Sequence, residues 1–164
     1  PLIDRGCQRI VHSDCGPDPE GVFDDLANLV RRCRIDFGTE ITFPSLAPFS
    51  RETLAADRKP YVRGEIRYRR AHLNSLGWGI SDDEDVPVGS LIVVKPILTA
   101  ALETDLNRYS QEHADFPQQT TADQWFDEAQ FESYRRVGEK SGTAGSAELE
   151  ALGRERAARL EETI

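Results

Sequence analysis

The residues with the best claim to chemistry stand together near the start of the chain. His12, Asp14 and Cys15 immediately precede the breaker-rich run Gly16-Pro17-Asp18-Pro19. A cysteine where a strand gives way to a loop is in a common position for reactive groups. A thiolate nucleophile, however, needs a nearby cation or imidazole to lower its pKa. His12 is close in sequence, but Asp14 and Asp18 disfavour the thiolate by charge, so a cysteine-dependent enzyme is the weakest reading of this cluster. Asp14 has two readings. At the C-terminal end of a buried strand it occupies the place where open α/β sheets gather ligands and catalytic groups, where it could orient a partner or act as a base. It could equally close the Pro-rich loop through its own backbone, and the local sequence favours that role.

Other chemistry is missing in an informative way. No serine stands in a G-x-S-x-G elbow: Ser90 follows Gly89 but leads straight into an apolar run, and Ser146 lies among small residues. Nucleotide-binding glycine patterns and H-E-x-x-H are absent, so neither a cofactor nor a catalytic metal is implied. His12, His72 and His113 are scattered and read as packing or surface residues. The acidic run Ser81-Asp82-Asp83-Glu84-Asp85 lacks the glycine and closing glutamate of a calcium loop and reads as a solvated turn. Cys7, Cys15 and Cys33 are odd in number and lack C-x-x-C spacing, which predicts free thiols in a reducing compartment.

Charge narrows the partners. A formal charge of −9 argues against broad contact with nucleic acid or anionic headgroups. The clusters Arg31, Arg32, Arg34 and Arg67, Arg69, Arg70 read as solvated faces. No apolar run approaches the ~20 residues needed to cross a bilayer, and nothing resembles a secretory signal.

Several elements must position these residues. Residues 1–6 read as a helix end stopped by Gly6, and Gln8–Ser13 as a short buried strand. Residues 21–36 show helical period, with Val22, Phe23, Leu26, Leu29, Val30 and Cys33 on one face, and Gly38 beyond the end. Ile41–Phe43 predicts a strand. An irregular stretch follows from Pro44 to Pro60, with one helical turn near Ser50–Ala55. Val62–Tyr68 alternates as a half-buried strand, 69–88 reads as a surface loop, and 90–95 as a strand buried on both faces, pairing with 62–68 as an antiparallel hairpin. A helix is expected over 102–112 and another from Ala122 to about Gly138, opened by a Thr121/Gln124 capping box. Its inward face would be Ala122, Trp125, Phe126, Ala129 and Val137, with Phe131 and Tyr134 extending the apolar surface. Ser141–Ser146 reads as a flexible linker, and 147–164 as a helical polar tail with a stripe of Leu149, Leu152 and Leu160. The order predicts an α/β fold, with residues 1–140 as one unit and 141–164 as linker and tail. A hydrophobic content of 38% fits a folded portion diluted by polar segments.

Four blocks resemble a known family. Leu2-Ile3-Asp4-Arg5-Gly6-Cys7-Gln8-Arg9-Ile10-Val11-His12-Ser13-Asp14 and residues 23–38 are similar to the distal part of bacterial patatin-like phospholipases. Val94-Lys95-Pro96 and the run Phe116-Pro117-Gln118-Gln119-Thr120 through Arg135 resemble the C-terminal signature of the same proteins. The resemblance implies the distal part of an α/β/α sandwich, a buried sheet with flanking helices, to which C-terminal helices are added. It also implies acyl-ester hydrolysis by a Ser-Asp dyad, in which the aspartate takes the serine proton and backbone N–H groups stabilise the oxyanion. The nucleophile elbow, the Asp-Gly-Gly motif and the glycine-rich oxyanion loop are not found in these residues. Asp14-Cys15-Gly16 superficially resembles the aspartate motif, but Cys15 replaces its first glycine and the segment falls on the following strand. No catalytic residue is therefore assigned within the chain, and Asp14 stays only a candidate.

The expectation is a fragment of a lipid acyl hydrolase. It would be inactive alone, with the dyad upstream of Pro1 and a lipid or acyl ester as substrate of the whole protein. It would be cytoplasmic or peripheral to a membrane, any membrane contact coming through regions outside these residues. Trp125, Phe126, Phe131 and Tyr134 would dock on the hydrolase core or border an acyl groove. The alternative is a non-catalytic α/β module for protein–protein association.

Overall fold

The computed structural model describes residues 2–50, 52–100, 102–120, 122 and 125–161, without the side chains of 156, 159 and 160. The expected capping box of Thr121 and Gln124 lies outside the described residues, as does the side chain of the tail leucine Leu160. The elements are β1 (Arg9–Ser13), α1 (Asp24–Phe37), β2 (Glu40–Thr42), a 3-10 turn (Ala47–Phe49), β3 (Tyr61–Arg67), α2 (Arg70–Ser75), β4 (Val88–Val94), α3 (Thr104–Glu112) and α4 (Glu128–Glu161). The four strands form one mixed sheet in the order β1-β4-β3-β2. β2 and β3 pair antiparallel, β3 and β4 form the expected antiparallel pair, and β1 runs parallel to β4. The α/β class is as the alternation of elements predicts.

Strand residues sort by parity. On β3, Val62, Ile66 and, just past the strand end, Tyr68 turn to one face, where they meet Leu91 and Val93 of β4. α1 packs Leu26 and Cys33 on this face, α2 adds Leu73, and Phe49 of the 3-10 turn closes it. Ile92 and Val94, of opposite parity, face the other way and are covered by Leu149 and Leu152 of α4. Helices therefore flank both faces of the sheet. A third cluster joins Leu106 and Tyr109 of α3 to Phe116 and to Val137 of α4.

Four expectations are corrected. β1 is not a buried strand: Ile10 alone is buried, and Val11 is 46% exposed. It is an edge strand whose one neighbour among the described residues is β4. The stretch 69–88 is not all loop, because α2 forms within it to seat the fully buried Leu73. The helical turn expected near Ser50–Ala55 is instead the 3-10 turn at Ala47–Phe49, with Pro48 in its first positions.

The fourth correction concerns the C-terminal helices. Ser141–Ser146 is not a linker but the middle of α4, a single helix of 34 residues. Small residues are needed there because the helix crosses the sheet closely: a Cβ on Gly145 would stand 2.5 Å from Val94 Cγ2. The inward stripe of α4 is Ser133, Val137, Ser141, Gly145 and Leu152, mostly four residues apart. Trp125 and Phe126 precede the helix and, like Ala129 and Phe131, are exposed, Trp125 by 92%. Of the expected inward face, Val137 is buried, and the aromatics that precede it do not line the sheet side of α4.

Candidate functional site

The β1–β4 register determines the site. Ser13 pairs with Val94, so the next residues, Asp14 and Lys95, leave the C-terminal ends of two parallel strands side by side. The Asp14 N–H extends the ladder by donating to the Val94 carbonyl (2.8 Å), and the Lys95 N–H donates to Pro60 O (2.9 Å) on the other side. Lys95 is only 4% exposed. A buried ammonium needs a counter-charge and hydrogen-bond acceptors to remain ionised. It has both: Nζ donates to Asp14 Oδ2 (2.8 Å) and to Gly16 O (3.0 Å).

Asp14 therefore fills the structural role that its loop context suggested, and a further one. Its Oδ1 accepts the Gly16 N–H (3.0 Å), closing the turn, while Oδ2 holds the lysine. With one oxygen on a backbone N–H and the other on an ammonium, the carboxylate is a poor general base.

The loop then runs to Asp18, whose carboxylate accepts the N–H groups of Val22 (3.0 Å) and Phe23 (3.1 Å) and so caps the approach to α1. Gln118 ties this loop to the strand ends. Its Oε1 accepts the Asp18 N–H (2.8 Å) and its Nε2 donates to Pro96 O (3.0 Å). Two cavities flank the loop. One, of about 240 Å³, lies between Phe23, Phe49, Lys95, Leu98 and Phe116. The other, of about 260 Å³, is acidic, bordered by Asp14, Glu20, Asp24 and Asp25, with Lys95 reaching it too.

The other sequence candidates do not join this site as reactive groups. Cys15 is exposed, and its Sγ lies 3.5 Å from Ser13 Oγ, a hydroxyl that cannot serve as its base. His12 is exposed on β1. His72 stacks on Tyr68 and His113 on Tyr109, as packing histidines. In the acidic run, Glu84 accepts the Ser81 N–H (2.9 Å) and hydroxyl (2.8 Å), which hold its carboxyl below the ordinary range. Asp82 meets Arg70 at 3.3 Å. Among the described residues no group of three or more His, Cys, Asp or Glu side chains could hold a metal ion. The basic clusters are surface ion pairs, Arg34 with Glu40 and Arg67 with Glu65, of small energetic weight.

No family model, no curated protein and no solved structure matches this chain. The site thus has to be read from its own geometry. Lys95 and Gln118 are the members that sequence reasoning did not single out. A signal existed for Lys95: a lone cation closing the apolar run Leu91–Val94 must find a buried partner. Gln118 carried no such mark, since its two partners lie 100 and 22 residues away in sequence.

Proposed function

We propose that residues 1–164 form the distal part of a patatin-like lipid acyl hydrolase, a scaffold whose catalytic Ser-Asp dyad lies outside these residues. One observation supports this reading above the sequence resemblance itself. Separate blocks that carry the resemblance are tied by two neighbouring sets of hydrogen bonds: Asp14 of the first with Lys95 of the third, and Gln118 of the last with the Pro96 carbonyl of the third. Asp18, in the loop between the first two blocks, is held by that same Gln118. Polar groups far apart in sequence that satisfy one another in a part-buried setting make the segments carrying them interdependent.

In that reading these hydrogen bonds fix the loop at the carboxyl ends of β1 and β4, the side of an open α/β sheet where substrates bind. Asp14 is a positioning residue for Lys95 and the loop, and is not the base of the reaction. The substrate is an acyl ester of a lipid.

The test is hydrolysis of a p-nitrophenyl acyl ester series by two proteins, residues 1–164 alone and a form extended upstream of Pro1. The extended form should turn over the esters while 1–164 stays at the buffer rate. A folded extended form without ester hydrolysis would refute the proposal.

A further inference from the structure

We draw no further inference here: the strongest candidate, the apolar groove between β1 and α4 lined by Val11, Val94, Gly142 and Leu149, carries none because nothing among the described residues shows what covers it.

Discussion

At the scale of single residues, the pair Asp14–Lys95 sets the behaviour of the site. Removing one member of a buried ion pair leaves the other charged and unpaired, at a cost of about 3–5 kcal/mol. Asp14→Ala should therefore destabilise the fold strongly, whereas Asp14→Ala with Lys95→Met should recover part of the loss. Urea unfolding of the two singles and the double variant measures the coupling, and an additive cycle would contradict the pairing. Asp14 was legible in the sequence as a loop-closing residue, because an aspartate ahead of Cys15-Gly16-Pro17 can bond to the backbone two residues on. Its charge partner 81 residues away was not, because nothing local specifies a long-range contact.

Tyr68 is a second residue with a measurable consequence. Its hydroxyl donates to Cys7 O (2.6 Å), and burial pushes its pKa well above the ordinary value of 10. The folded state thus keeps a proton that the unfolded chain releases above pH 10. Stability from this group is complete below that pH and is lost as pH rises toward the raised folded pKa. Tyr61, Tyr109 and Tyr134 are shifted in the same direction, so the whole fold should weaken in alkali. Tyr68→Phe should be less stable at neutral pH and show a shallower decline above pH 10 in urea midpoints.

At the scale of elements, α4 makes the sharpest claim. Gly142 has nothing within 4 Å of an added Cβ, while a Cβ on Gly145 would press on Val94 Cγ2 at 2.5 Å. Both glycines lie inside the helix, where alanine is intrinsically better by about 0.5–1 kcal/mol. Gly142→Ala should accordingly raise the melting temperature. Gly145→Ala should lower it, because overpacking a close contact costs about 1–3 kcal/mol. Equal effects of the two substitutions would show that this helix does not lie on β4. The same segment shows where sequence reading failed. A run of Ser, Gly, Thr and Ala has the composition of a linker and also that of a close helix–sheet crossing, and the sheet beneath it decides between them. The β3–β4 pair was easier, because alternation in Val62–Tyr68 and the apolar run of β4 each state their own burial. α2 was hidden because six residues carry too little period to reveal one anchoring leucine.

At the scale of the whole molecule, the α/β class was readable from the order of elements, whereas the strand order was not. The parallel placement of β1 against β4 joins strands some 80 positions apart, and that placement makes the site. The outer side of β1 is open among the described residues, and this edge is where the proposed hydrolase would continue its sheet. The central claim is that residues 1–164 are a scaffold whose nucleophile lies elsewhere. Labelling with a serine-directed fluorophosphonate, followed by mass mapping of the modified peptide, tests it most directly. The account predicts no labelling of 1–164 alone, and in a form extended upstream a single labelled serine located before Pro1. A labelled serine within 1–164, or a folded extended form that takes no label, would contradict it.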